Sequence, residues 1–307
     1  MAHEEDFNKI SYQMHEKHFH QFADGEKNEK LSKTWFEEDT VDSWRHERMY
    51  NSILSLLKAY PDSNWLTVGD GRYGKDAHFF REKGIKVLAT DISDVLLKEG
   101  KKAGYIDDYS KENAEALSFS NNQFDFVFCK ESYHHFPRPM ISLYEMLRVA
   151  KKGIILIEPN DCYISSTLLN VLFQNFKDLV KKLMKKSFIR HNFEESGNYI
   201  YGISKREIEK VALGMNYRYV AFKGIEDYYE KGVEYEKAVN GNKSFQRVKI
   251  GIYLLEFLTK IKLKQPGLLV AIIFKEEPHS ILKNYLSKDG YEVIKLPENP
   301  YLRLTEE

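Results

Sequence analysis

The sequence predicts a doubly wound, mainly parallel α/β sheet, preceded by helices and interrupted late by a helical, aromatic-rich cap insertion. Three observations point there. Short apolar runs alternate with helical periods over residues 61–160. One run, Trp65–Val68, enters the loop VGDGRYG, whose Gly69, Gly71 and Gly74 spell GxGxxG, and Asp91 closes the next run. After Asn160 the alternation stops, and a strong apolar run returns only at Gly267–Phe274, GLLVAIIF.

The elements follow in order. Residues 1–60 read as polar helical segments anchored by Phe19, Phe22, Trp35, Phe36 and Trp44, a helical lid segment. Within them a helix is expected from Asp42 to Tyr60, capped by Asp42 or Ser43, with Ile53, Leu54, Leu56 and Leu57 on its apolar face. Pro61 and Asp62 end it. The core, residues 61–160, begins with a strand at Trp65–Val68 and a helix at Lys75–Lys83 stopped by Gly84. A second strand at Lys86–Thr90 and a helix at Ser93–Lys102 follow. Phe124–Cys129 and Ile154–Ile157 are apolar at nearly every position, as strands covered on both faces must be, and Met140–Val149 is helical between them. Residues 161–266 form the expected cap and substrate region, including a late core strand. There Ser165–Met184 has helical apolar spacing, Ser204–Leu213 is a further helix and Tyr217–Phe222 a strand. Tyrosines crowd Gly224–Tyr235. Residues 267–307 supply the closing strand and a tail.

Composition narrows the function. Of 307 residues 42% are hydrophobic and 30% charged, the profile of an ordinary globular chain. Lys plus Arg and Asp plus Glu number 46 each, so a global charge argument for nucleic acid fails. Cys129 and Cys162 suggest no disulfide framework, which favours a reducing compartment. The start, MAHEEDFNKI, has neither the basic flank nor the apolar run of a secretory signal. No apolar run reaches the length of a membrane span. The expected location is cytoplasmic.

In doubly wound sheets ligands bind beyond the carboxyl ends of the strands. That singles out Gly69–Gly74, Asp91, Lys130–His135 and Glu158–Asp161. Glycines let a ribose or phosphate approach the backbone, and an acid after the second strand accepts from ribose hydroxyls. Both reasons serve a nicotinamide dinucleotide and S-adenosylmethionine equally.

The following segments separate the two. Asn113–Phe119 reads NAEALSF, Asn121–Cys129 NNQFDFVFC, Ser132–Phe136 SYHHF, Leu143–Val149 LYEMLRV and Gly153–Pro159 GIILIEP. In order and spacing this resembles the class I S-adenosylmethionine-dependent methyltransferases, particularly their small-molecule type 11 group. The likeness covers about residues 60–160, with Gly267–Phe274 as the closing element. It implies a seven-stranded Rossmann-like methyltransferase fold and S-adenosylmethionine as cofactor. By the same resemblance Gly69, Asp70, Gly71 and Gly74 wrap the methionine and ribose portion, and Asp91, with Ile92 beside it, takes the ribose. Asn113 and Ala114 meet the adenine, and Lys130 and Glu131 lie beside the methionine or the substrate. The chain departs from the pattern at three places. Thr67 stands where the first strand usually ends in an acid, the third glycine slips by one from GxGxG, and Asn113 replaces an Asp.

A sulfonium already carries an activated methyl, so alignment and proton removal are what remain for the protein. An oxygen acceptor calls for a base, and His134 and His135 lie on the loop facing the reacting end. Either serves as the candidate. Glu131, Tyr133, Glu158 and Tyr199 are candidate substrate contacts, with Glu158 equally a structural acid near the pocket, and Tyr199, Tyr201, Tyr228 and Tyr229 could wall a pocket or form the core of the cap. Cys129, at the end of an apolar strand, reads as a small hydrophobe rather than a nucleophile. His15, His18 and His20 have no paired cysteine or HExxH to complete a metal site, so no metal is expected. Lys177, Lys181, Lys182, Lys185 and Lys186 suggest an anionic substrate or lipid surface, with a solvated helix face as the plainer account. The expected function is methyl transfer to a small-molecule or glycan-like acceptor, most simply at oxygen. Two readings compete: a nicotinamide-dependent oxidoreductase, and a non-catalytic relative serving as a partner subunit.

Overall fold

The computed structural model describes residues 2–161, 168–184, 193 and 198–301. Four helices lead: α1 (Ala2–His20), α2 (Glu29–Lys33), α3 (Val41–Asn51) and α4 (Leu54–Ala59). The cap of α3 is Thr40, whose side chain accepts from the Ser43 N–H, rather than Asp42 or Ser43. The single helix expected over Asp42–Tyr60 is two, because the chain turns at Ser52, whose hydroxyl donates back to the Met49 carbonyl.

The alternating unit follows as β1 (Asn64–Val68), α5 (Lys75–Glu82), β2 (Lys86–Asp91), α6 (Val95–Lys102), β3 (Tyr109–Lys111), β4 (Phe124–Lys130), α7 (Pro139–Val149) and β5 (Ala150–Pro159). Beyond it lie α8 (Leu168–Leu183), α9 (Lys205–Gly214), β6 (Tyr219–Ile225), α10 (Lys243–Lys260), β7 (Leu268–Phe274), α11 (Ser280–Lys288) and β8 (Glu292–Lys295). They form one sheet in the order β3-β2-β1-β4-β5-β7-β6-β8. The first five strands are parallel, and β7 runs antiparallel between β5 and β6. The sheet has eight strands rather than the expected seven, since β8 from the tail pairs antiparallel with β6. The eighteen-residue α10 was not foreseen from the residues of the cap region. Part of the helix expected at Ser165–Met184 lies outside the described residues, as do Cys162, Lys185, Lys186 and the side chain of Lys177.

Strand alternation builds two cores. Trp65, Phe126, Phe128, Ile155 and Ile157 face one side and pack with Met49, Leu56 and Phe80. Leu66, Val68, Val127, Ile154 and Leu156 face the other, against Leu143, Met146, Ile208 and Val211. Trp65, Phe80 and Phe126 are fully buried, and each such side chain stabilises the fold by about 1.5–3 kcal/mol. This packing fixes the strand ends, and therefore the loops that follow them.

Candidate active site

Two cavities meet beyond the carboxyl ends of β1 and β4, and Gly69 and His135 border both. The first is lined by Asp91, Ile92, Asn113 and Ala114, with Tyr12 and His15 from α1. The second, the larger of the two, is lined by Gly71, Lys130, Glu131 and His134, by Arg45 and His46 of α3, and by Phe19 and Trp35. The loops thus bring Gly69, Asp70, Gly71, Asp91, Ile92, Asn113, Ala114, Lys130, Glu131, His134 and His135 to a shared space.

In the glycine loop, Gly69 and Gly74 adopt φ of +79° and +75°, where a side chain is strained. Gly71 answers a different need. A Cβ there would come within 2.7 Å of the Phe19 ring and 3.0 Å of the Asp91 carboxylate. The position two residues on, where a GxGxG loop would place its third glycine, holds Tyr73 at φ +59°. This left-handed residue costs about 1–2 kcal/mol. Packing offsets it: the ring is fully buried, 4.2 Å from the Phe36 ring between centroids, and its hydroxyl donates to Ser32 Oγ at 2.9 Å. The slipped glycine therefore accompanies an anchor that ties residues 32–36 to the loop. Tyr73→Phe should lower stability by about 1 kcal/mol through the lost hydrogen bond. Tyr73→Gly should cost about 3 kcal/mol or more despite relieved strain. Urea unfolding midpoints check both.

Thr67 also finds its account. Its hydroxyl donates to Asp70 Oδ2 at 2.9 Å, and the same carboxylate accepts from the Asp76 and Ala77 N–H groups at 3.0 and 2.8 Å. Burial, and then Asp76 nearby, push the Asp70 carboxyl well above its ordinary range. The Asp70 side chain is thus committed to the start of α5, and its backbone is engaged as well: its N–H donates to the Thr90 carbonyl at 3.0 Å and its carbonyl accepts from the Gly74 N–H at 3.1 Å.

Asp91 has the opposite character. It is buried at the end of β2, its Oδ1 accepts from the Ser93 N–H at 2.8 Å, and burial raises its pKa to about 7 against the backbone donors of Ser93, Gly71 and Ile92. A buried carboxylate beside the first cavity, with no cation among the groups acting on it, suits a neutral diol that donates to it. Asn113 reaches the same cavity, but its Oδ1 accepts from the Glu115 N–H at 2.9 Å, closing a local turn.

The histidine loop is held from behind. Glu158 is 0% exposed; its Oε1 accepts from the Ser132 and Tyr133 N–H groups, both at 2.9 Å, and its Oε2 lies 2.6 Å from His134 Nδ1. Glu158 is therefore no wall of either cavity and no substrate contact; of its two expected places it takes that of a structural acid beside the pocket. Its strand is covered on both faces, and its oxygens are taken up by the loop above. Tyr133 is likewise corrected: it is buried in the core, with its hydroxyl on Met140 Sδ at 3.4 Å. Tyr199 packs edge-on against Tyr201 and Phe193 and lines neither cavity. Of the four tyrosines offered as pocket walls, Tyr229 alone lines the second cavity, where the Arg45 guanidinium lies 5.1 Å from its ring. Gly74 sits behind the loop against Ile106 and lines neither cavity. Asn198 donates to the His135 carbonyl at 2.8 Å and accepts from Ser11, joining α1 to this loop.

Sequence reasoning missed the contribution of α3. Asp42, His46 and Met49 lie on one helical face and are all buried. That spacing, a polar pair in register with an apolar residue, was the available signal. His46 Nδ1 lies 3.1 Å from Lys130 Nζ. Burial first, then Lys130, Arg72, Lys75 and Arg45, hold its pKa well below the ordinary histidine value. Among the described residues no cluster of three or more His, Cys, Asp or Glu side chains is arranged to hold a metal ion, and no helix is long and apolar enough to cross a membrane.

Residues 66–157 match the family described as "Methyltransferase domain". These residues carry a methyltransferase domain, on the mostly parallel sheet with flanking helices. Among curated proteins, the chain is 30% identical over 115 residues to the demethylmenaquinone methyltransferase of Renibacterium salmoninarum. The match takes in 38% of this chain and 48% of the relative, about half its length. Solved structures similar to it include a SAM dependent methyltransferase from Archaeoglobus fulgidus, at 15% identity and TM-score 0.46, covering 75% of this chain and 94% of that one. Another is the magnesium protoporphyrin IX methyltransferase of Synechocystis PCC 6803 with bound SAH, at 13% identity and TM-score 0.44, covering 87% and 95%.

Proposed function

We propose that this protein transfers a methyl group from S-adenosylmethionine to an oxygen of a polar small molecule. The observation that carries this reading is the meeting of the two cavities at Gly69 and His135. The first offers Asp91 to a ribose diol and Asn113 and Ala114 to a base edge. The second offers His134, backed by Glu158, to an acceptor hydroxyl. When bound, the cofactor supplies the activated methyl; the remaining work falls to this chain's residues. Glu158 holds the His134 ring with Nδ1 toward the carboxylate, so that Nε2 is the nitrogen able to take the acceptor's proton. The related enzyme is named for demethylmenaquinone. A cavity wall carrying Arg45, Arg72, Lys75 and Lys130 argues here for a more polar acceptor. A sugar-bearing molecule fits that description.

Residues 1–60 act in this reading as a lid over the glycine loop. Phe19 touches the space beside Gly71, and Tyr12 bonds to Glu115, which also receives Arg138. Closure there keeps water from the reacting atoms.

The test is a pair of thermal melts, with S-adenosylhomocysteine and with NAD. A ligand bound only by the folded form raises the midpoint. A rise of several degrees with S-adenosylhomocysteine and none with NAD is expected. The reverse pattern would overturn the assignment in favour of an oxidoreductase.

A further inference from the structure

The second cavity contains more cationic groups than its own acids engage. Arg45 is bound to both oxygens of Asp227, and its Nη1 donates to Asp42 at 2.9 Å. Lys130 Nζ lies 3.4 Å from Asp76 and 3.6 Å from Glu131. Two cations remain. The Arg72 guanidinium lies 4.9 Å from the Trp35 ring centroid and makes no ion pair among the described residues. Lys75 Nζ donates to the neutral Ser43 Oγ at 2.9 Å and likewise has no ion pair there.

The acids at the wall are not waiting for those two. Asp70 is taken by backbone donors and Thr67, Asp76 by Tyr50 and Lys130, and Glu234 by the Tyr229 hydroxyl and the Gly232 N–H. Glu131 lies beside Lys130 and His46. Against burial, which acts the other way, Lys130, Arg72 and Arg45 hold its carboxyl below the usual range. Burial pulls Lys75 down to about 8, with Arg72 and Lys130 acting the same way and Asp42 and Asp76 opposing them.

Building on the methyltransferase reading, we infer that the acceptor carries an anionic group, a carboxylate or phosphate, received by Arg72 and Lys75 while its organic body lies along Phe19, Phe22 and Trp35. Arg72 brings a planar fork suited to two oxygens, and Lys75 a point charge. The aromatic wall gives the neighbouring carbon skeleton a surface to cover. The glycine loop that leads to the methyl donor also carries Arg72, so a group fixed there is held close to the transfer.

The same cations could instead serve the carboxylate of the methyl donor, and the experiment separates the two sources. Benzoate and inorganic phosphate are titrated calorimetrically into the full-length protein saturated with S-adenosylhomocysteine, then into R72Q and the double variant R72Q/K75Q. Arg72 is exposed, so R72Q keeps the test independent of folding. The inference expects at least one probe to bind the wild type at millimolar concentration. It expects at least tenfold weaker probe binding in R72Q and more in the double variant, with the affinity for S-adenosylhomocysteine within twofold of wild type. Absence of probe binding to wild type, equal binding by all three proteins, or a loss of S-adenosylhomocysteine affinity in the variants overturns it. Were the wild type to bind the probes through these residues but not S-adenosylhomocysteine, the anion site would stand and the methyltransferase reading would fall.

Discussion

Asp91→Asn should weaken S-adenosylhomocysteine binding by about ten- to a hundredfold, the worth of a charge-assisted hydrogen bond reduced to a neutral one. The wild-type affinity should also depend on pH in a definite direction. With its pKa raised to about 7, Asp91 retains its proton in the free protein under mildly acidic conditions. Ribose hydroxyls donating to the carboxylate favour the ionised form, so binding below pH 7 must release that proton. Affinity should therefore rise about tenfold per unit as pH climbs toward 7, then level off. In Asp91→Asn that slope should vanish. Glu112, Glu115, His15 and His135 face the same cavity, so the difference between the two proteins, rather than the wild-type curve alone, isolates Asp91. Calorimetric titration over pH 5.5–8, in buffers of differing ionisation heat, reads both affinity and proton release. A wild-type curve that is flat, or that matches the variant's, would remove Asp91 from the ribose site.

The free protein gives a companion sign. An unfolded Asp ionises near 4, so between about pH 4 and 7 the folded state binds more protons than the unfolded one. The Asp91 contribution to stability is then fully present below pH 4 and is lost as pH rises through 7.

The second large effect concerns His134 and Glu158. His134→Gln should lower turnover by about a hundred- to ten-thousandfold once an acceptor is in hand, with KM nearly unchanged. Glu158→Gln should approach that loss although Glu158 reaches neither cavity. The amide can turn its N–H₂ toward His134 Nδ1, which drives the ring proton to Nε2 and removes the acceptor nitrogen from the cavity side. The ¹⁵N spectrum of labelled imidazole reads this directly. Nδ1 should carry the proton in the wild type and Nε2 in Glu158→Gln. Glu158→Asp should restore the wild-type tautomer at least in part. If Glu158→Gln kept the wild-type tautomer yet lost turnover, Glu158 would be a support for the loop rather than a positioning residue for the histidine.

Much of the site was legible in the residues because it sits where strands end. A glycine loop after β1, an acid closing β2, the NAEALSF segment and the histidine pair after β4 are local patterns. A parallel sheet sends all of its carboxyl ends to one edge. The histidine pair showed the limit of this. Sequence spacing places His134 and His135 on one loop and cannot choose between them. In the fold, Glu158 lies twenty-four residues on along the neighbouring strand yet bonds to His134. Glu158 itself, an acid at a strand end, was open to two places, facing a substrate or serving as a structural acid near the pocket. Here the loop folds over it and takes its oxygens.

By itself the sequence determined the fold class, the strand-loop positions that face a ligand and the methyltransferase likeness, because each rests on local periodicity or on short motifs of fixed spacing. Tertiary structure decided which side chains share a cavity. The partners that matter come from elements far apart in the chain: Phe19 and Trp35 over the glycine loop, His46 against Lys130, and Arg45 against Asp227. Charge pairing, burial and proton affinity depend on distances through space, and no pattern along the chain fixes those. The tail that became β8 is the same lesson in the sheet. Its four residues carry little apolar pattern of their own, and the free edge of β6 made them a strand.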